Sequence, residues 1–334
     1  VAAGAAVPVS MMGFTLTLVC PAPPWLAERG SPGPAPPHLL RLRAEPQGIE
    51  LPLPICRGRE AEAPPRQRLA VCLRIHYDVG GLASESGLPF LVRDWLNFHI
   101  IAGVDAFVIY DEDGSFGEAE PGLLDHPQVT YFPRWQEKAM PQLWRRLHQA
   151  APVTQHAAPD ITAAQAFSHC VAMLKGRVDW IAMLPGFDAY LRAGGPWHRE
   201  PLRTVLRVLE PHRGRIAALQ LSEVQYAQGD HPRGRTILSQ RMRGPPIANQ
   251  TLGYMSLALV LNPDNVLEVG MGHFGVPRRG AHLVAVDEGT LRVNHYIDFV
   301  KVAGRPRCEN CTTLDPSFGA DIELELEARR QDYA

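Results

Sequence analysis

The sequence predicts an α/β fold: a mostly parallel sheet with helices on both faces, preceded by a small β-rich N-terminal segment. Three observations carry this. From Leu69 onward, mostly apolar runs of strand length alternate with segments of helical period. The strands so marked are apolar enough to be covered on both sides. Residues 1–69 differ in composition, being dense in Pro, Ala and Gly, as in Ser31-Pro32-Gly33-Pro34-Ala35-Pro36-Pro37.

In residues 1–69 proline blocks helices and central strands. Phe14 to Val19 reads as a strand, as does Leu39 to Arg43 continuing through Ile49 to Ile55. A staple from Cys20 to Cys56 and a linker at Arg57 to Arg68 complete this lead-in. Leu69 to Ile75 is the first strand of the main domain, taken as residues 70–305. Leu91 to Ala102 is a helix with Trp95, Phe98 and Ala102 on one face and Gly103 as its stop; His99 reads as a helix-surface histidine packed on a neighbour. Val104 to Tyr110 is a strand ending at Asp111, and Gln128 to Phe132 a shorter one. Ile161 to Lys175 is a helix capped by Asp160, with an apolar stripe through Phe167, Cys170 and Leu174. Trp180 to Leu184 is the strand after it. Pro201 to Leu209 reads as a helix, and Arg215 to Tyr226 and Thr251 to Leu261 as strands. His282 to Val286 and Leu291 to Tyr296 flank Asp287-Glu288-Gly289-Thr290, a hairpin signal. The tail, residues 306–334, ends in a solvated helix from Ile322 to Asp332.

The 334 residues suffice for one large α/β domain with a smaller attachment, and 46% are apolar. A net charge of −2 gives no bulk electrostatic reason to expect nucleic acid or an anionic membrane as partner. No run approaches the roughly 18 apolar residues of a spanning helix. The chain opens on Val1 rather than Met, so a membrane anchor or signal is expected only outside this segment. Cys308-Glu309-Asn310-Cys311 is a lone CxxC, which points away from zinc and toward a local disulfide or two free thiols. Asn249-Gln250-Thr251 and Asn310-Cys311-Thr312 fit the N-glycosylation pattern, and with six cysteines they lean toward a secretory compartment.

In open α/β sheets, ligands bind beyond the carboxyl ends of the strands. Three strands end in polar residues here: His76, Tyr77 and Asp78; then Asp111, Glu112 and Asp113 with Gly114 and Ser115; then Asp188. A strand-end carboxylate can accept hydrogen bonds from a ribose or base, and one further along can hold a hard cation.

Several motifs occur together in order. They are Trp95-Leu96-Asn97-Phe98-His99, Gly103-Val104, Phe107-Val108-Ile109-Tyr110-Asp111 and Ser115. Gln165 and Cys170 follow on the next helix, then Asp179-Trp180-Ile181-Ala182, Asn262-Pro263-Asp264-Asn265-Val266, His273 and Asn294-His295-Tyr296. In that order and spacing, from about Cys72 to Val300, the chain resembles glycosyltransferase family 92, a branch of the GT-A fold. The resemblance implies transfer of a sugar, typically galactose from UDP-galactose, onto a glycan acceptor, with inversion. It implies a Golgi, lumenal setting and a divalent cation, usually manganese (Mn2+), bridging the diphosphate. Tyr77, Asp78, Asp111, Asp113, Ser115 and Gln165 are then expected at the nucleotide-sugar, and Asp188, His273 and His295 at the metal. Glu223 and Asp230, with Asp298 a further candidate, are the possible general bases.

The chain departs from the family where a D-x-D-E loop is expected. Aligned without a gap from Trp180, the two aspartates fall on Pro185 and Phe187, with Asp188 at the Glu. Slipped by one, Asp188 is the second aspartate, Gly186 replaces the first, and Tyr190 takes the aromatic place. Two other readings therefore stand beside the first. One is a degenerate, non-catalytic relative that binds glycan or protein. The other is a metal-independent transferase in which Arg241 and Arg243 replace the cation.

Overall fold

The computed structural model describes residues 7–12, 15–19, 38–44, 49–55, 66–135, 158–195, 197–227, 236–239, 242–247, 259–269, 275–296, 311–315 and 320–330. Two compact units are present: Val1–Met11 with Leu16–Pro65, and Met12–Thr15 with Arg66–Ala334. The smaller contains all but one residue each of β1 (Val7–Met12) and β2 (Thr15–Val19), which pair, and the antiparallel hairpin of β3 (His38–Ala44) and β4 (Ile49–Ile55). The strand β1 has no counterpart in the sequence reading. Cys20 and Cys56 lie outside the described residues.

The larger unit is built on a seven-stranded sheet of order β16–β10–β13–β8–β5–β6–β7. Its members are β5 (Gln67–Leu73), β6 (Ala106–Tyr110), β7 (Val129–Phe132), β8 (Val178–Leu184), β10 (Ile216–Gln220), β13 (Leu259–Leu261) and β16 (His282–Ala285). Only β13 runs against the others, so the sheet is mostly parallel. Side chains alternate between two cores, as the strand period demands. Leu69, Val71 and Leu73, with Trp180 and Leu184, enter one core, and Ala70, Cys72, Ile181 and Met183 the other. The first core receives α2 (Leu91–Ala102), the second α4 (Ala158–Leu174). Cys72 and Cys170 form a disulfide across that second core. Gly103 ends α2 at φ 106°, which favours glycine. Two short helices, α1 (Val79–Ser86) and α3 (Ser115–Ala119), follow β5 and β6.

A second sheet of order β18–β12–β11–β17–β9 joins β9 (Ala189–Ala193), β11 (Ser222–Ala227), β12 (Met242–Ile247), β17 (Leu291–Tyr296) and β18 (Thr313–Leu314). A two-stranded ribbon pairs β14 (Val266–Val269) with β15 (Gly275–Pro277). The remaining helices are α5 (Pro201–Leu209) and α6 (Ala320–Arg330).

Several expectations are corrected. The run Arg215 to Tyr226 is not one strand. It breaks at Leu221 into β10 and β11, which belong to different sheets. Asp287 to Thr290 does turn the chain, with Thr290 and Leu291 amides donating to the Asp287 carbonyl. Yet it makes no hairpin: β16 pairs in parallel with β10 in one sheet, and β17 lies between β9 and β11 in the other. Asp160 lies within the first turn of α4 rather than capping it. The C-terminal helix α6 is not solvated. It buries Ile322 and Leu326 and docks on α2 through a half-buried Arg330, whose Nε and Nη2 donate to the buried Asp94 carboxylate at 2.7 and 2.5 Å. His99 is buried rather than a surface histidine. Of Thr251 to Leu261, only Leu259–Leu261 falls in the described residues and forms a strand.

Candidate functional site

The turn between β8 and β9 carries the candidate chemistry, and α2 fixes its position. Trp95 Nε1 donates to the Ala189 carbonyl at 2.8 Å, and the Leu191 amide donates to His99 Nε2 at 3.1 Å. Burial holds His99 neutral, its pKa lowered to about 3. The β9 strand so anchored pairs with β17, placing Ala189 opposite His295, and the Tyr296 amide donates to the Asp188 carbonyl. In parallel, β11 pairs with β17, Gln225 opposite His295 and Glu223 opposite Val293. These two ladders bring Asp188, His295 and Glu223 together from three strands.

His295 sits between two carboxylates. Nδ1 lies 2.9 Å from Glu223 Oε1 and Nε2 3.2 Å from Asp188 Oδ2. Burial alone would lower its pKa; Asp188 and then Glu223 outweigh that and raise it to about 10. The ring is therefore an imidazolium near neutrality, donating from both nitrogens. Burial works to raise the Asp188 pKa, but the His295 charge outweighs it and holds the carboxyl below its usual range. Asp188 and His295 keep 16% of their side-chain surface exposed and Glu223 7%, so solvent reaches the first two more readily.

His76, beyond the end of β5, closes the other side. Its ring stacks on Phe187 at 4.5 Å between centroids. Burial lowers its pKa to about 4, and its Nε2 is a buried atom with no hydrogen-bond partner. A Cβ on Gly186 would stand 2.5 Å from Asp188 Oδ1 and 3.5 Å from His76 Cε1. Residue 186 is thus small because the Asp188 carboxylate lies over its backbone.

The expected nucleotide-sugar residues occupy two neighbouring loops at the carboxyl ends of β5 and β6. Asp111 is fully buried; its carboxylate accepts the Gly114 and Phe116 amides and the Tyr131 hydroxyl. Asp113 accepts the Asp78 and Ser115 amides, and Ser115 Oγ accepts the Val79 amide. Asp78 stands in the left-handed region, φ 48°, and caps α1 by accepting the Gly81 amide. Asp78, Asp113 and Ser115 therefore lock the two loops together, and Tyr77 is half-buried beside them. Glu112 differs: its Oε2 is buried without a partner, and burial, then Asp113 and Asp111, raise its pKa to about 7. Gln165 lies on α4, its side chain undescribed, and His273, Asp230, Asp298 and Arg241 lie outside the described residues. Arg243 is 4.0 Å from Asp315, within a separate network where Tyr226 and Arg292 also bond Asp315.

The sequence reading names His76 as a strand-end residue and sets Phe187 and Gly186 at the carboxylate positions of the loop, but gives none of the three a role in the site. The available signal was positional, since His76 follows a buried strand and Gly186 precedes the only carboxylate of its turn.

A hard cation asks for several oxygen ligands. Among the described residues no group of three or more His, Cys, Asp or Glu side chains is arranged to hold a metal. Asp188 gives one carboxylate, both His295 nitrogens face carboxylates, and His273 lies outside the described residues. The described donors alone do not fit a divalent ion.

No family model and no curated protein matches the chain. Among solved structures it is similar to 4-diphosphocytidyl-2C-methyl-D-erythritol synthase from Anaerococcus prevotii: 9% identity, 79% of this chain and 96% of that one covered, TM-score 0.31. A likeness that distant bears on neither fold nor function.

Proposed function

We propose that the chain is a GT-A-type, family-92-like glycosyltransferase that moves a sugar, galactose from UDP-galactose first among candidates, onto a glycan acceptor. The observation that carries this reading is the meeting of Asp188 and His295 at the carboxyl end of the parallel sheet, in the turn where the ordered motifs put the donor diphosphate. The buried Cys72–Cys170 disulfide supports a secretory, Golgi-lumenal setting, since such bonds persist in oxidising compartments.

In this reading Asp188 Oδ1, the oxygen turned away from His295, accepts a hydrogen bond from a sugar hydroxyl. His295 holds Asp188 ionised and in place. Glu223 is buried and committed to His295, so it acts as a positioning residue rather than reaching an acceptor hydroxyl. Asp111, Asp113 and Ser115 shape the two loops that would receive the nucleoside. Because the described donor set does not fit a divalent ion, no step is assigned to manganese.

Incubation with UDP-galactose, with manganese or with EDTA, tests the proposal. Donor hydrolysis or transfer is expected, with Asp188→Asn lowering it roughly 10²-fold or more, the range found when one preorganised polar group is removed. Neither turnover nor calorimetric UDP binding in either condition would overturn it. A second reading, a non-catalytic glycan- or protein-binding relative, is favoured by Pro185 and Phe187 in the carboxylate positions. That outcome would replace the first, provided the protein still retained glycans.

A further inference from the structure

We propose that the amino ends of β5, β8 and β10 form a docking face for an extended sulfated polysaccharide, separate from the Asp188 site. The face is organised by one turn, Asn262 to Asn265. Asn265 Nδ2 donates to the carbonyls of Arg213 and Ile216, both at 2.9 Å, and Asn262 Nδ2 donates to the same Arg213 carbonyl at 3.0 Å. The Arg278 amide donates to the Asn265 carbonyl at 2.7 Å, and the Gly176 amide to Asp264 Oδ1 at 3.1 Å. Three chain segments, 175–177, 213–216 and 278–279, are thereby held around one turn.

Each segment brings exposed cations: Lys175 and Arg177, Arg215, and Arg278 with Arg279. None of these five forms an ion pair among the described residues. Among the described residues, three acidic groups beside these segments are already matched. Asp179 pairs with Arg66 at 2.6 Å and Arg213 at 3.2 Å, Asp264 with Arg66 at 2.5 Å, and Glu210 with Arg213 at 3.2 Å. In a chain of net charge −2, five unmatched cations around one turn are a local excess that the interior does not use.

Repeated anionic oxygens suit this chemistry. Four of the five are arginines, whose planar forks bind sulfate oxygens in pairs, and they sit on three separate segments, so a ligand carrying several anionic groups can engage more than one of them. Among the described residues the face exposes no Phe, Tyr or Trp side chain for base stacking. Its partly exposed apolar neighbours, Leu267 and Leu283, are short of the anchors a bilayer surface asks for. It lies at the opposite strand ends from Asp188, so docking there leaves the candidate site open.

The test uses the whole chain on immobilised heparin, with de-sulfated heparin and phosphatidylserine–phosphatidylcholine vesicles in parallel. The triple variant Arg215→Gln/Arg278→Gln/Arg279→Gln alters only exposed side chains, and an unchanged melting temperature verifies its fold. Expected are retention of the wild type at physiological salt and loss of it on de-sulfated heparin. The triple variant should bind at least tenfold more weakly, with a slope of log affinity against log salt smaller by about three. Wild type not retained, a triple variant that binds equally well, or binding to the vesicles but not to heparin would each overturn the proposal.

Discussion

His295 makes the most direct prediction at the level of single residues. Its pKa in the folded chain is raised to about 10, against 6.5 unfolded. Folding therefore gains from this ionisation fully below about pH 6.5, and the gain fades as pH rises toward 10. The melting-temperature difference between wild type and His295→Gln should shrink across that window; a difference independent of pH would refute the charge assignment. His76 has the opposite sign. It is held neutral, so its contribution is present above about pH 6.5 and lost as pH falls toward 4. Gly186→Ala offers a cleaner probe of the site than of stability. The new Cβ meets the Asp188 carboxylate and must displace it, weakening its hold on His295. The His295 ring-proton titration should then move from near 10 toward 6.5, with the fold retained; an unmoved midpoint would show that the carboxylate does not need that space. Little of this was legible beforehand. Asp188 and His295 stood out as residue types, but 107 positions separate them in sequence, and only the β9–β17 ladder brings them together.

Among the secondary-structure elements, what could be read locally was read, and what depends on partners was not. The strands β5, β6 and β8 announce themselves as apolar runs because both their faces are buried. The helix α2 shows its stripe and its glycine stop. The turn at Asp287 is equally visible, but nothing local says whether the strands it joins pair with each other. They do not, because the chain passes there from one sheet to the other. The close approach of Gly194 to Gly289 marks the crossing: a Cβ on Gly194 would stand 1.5 Å from the Gly289 carbonyl. The helix α6 hides its buried face for another reason. Ile322 and Leu326 alternate with charges and with an exposed Leu324, and its docking also uses an ion pair of Arg330 with Asp94 and the stacking of Arg330 on Phe90. Arg330→Met should leave Asp94 buried without its partner and cost about 3–5 kcal/mol. Asp94→Asn in the same chain should recover much of that. Chemical denaturation of the single and double variants checks it, and an exposed-pair cost below about 1 kcal/mol would mean the helix is not docked as described.

The largest consequence for the whole molecule lies in the disulfide, which ties the middle of the main sheet to the helix that covers it. The sequence reading did not pair Cys72 with Cys170, because a pair 98 residues apart has no local signature; the Cys20–Cys56 staple it offered lies outside the described residues. Cys72 faces the second core by strand alternation, and Cys170 lies on the apolar stripe of α4; both are fully buried. A closed loop of that size restricts the unfolded chain strongly, by about 4–5 kcal/mol in the chain-entropy account, and measured losses for native bonds run about 2–5 kcal/mol. Cys72→Ala/Cys170→Ala should therefore fall by that amount in equilibrium unfolding, the two small cavities adding to the loss. Burial also makes the reduction rate a report on unfolding. Dithiothreitol should leave the bond intact while the fold holds and cleave it only where β5 and α4 separate. Mass spectrometry of thiol labelling across a thermal ramp follows this. Reduction well below the unfolding transition would mean that α4 lifts from the sheet locally. The seat of Asp188, fixed from the opposite face by α2, would then be expected to outlast it.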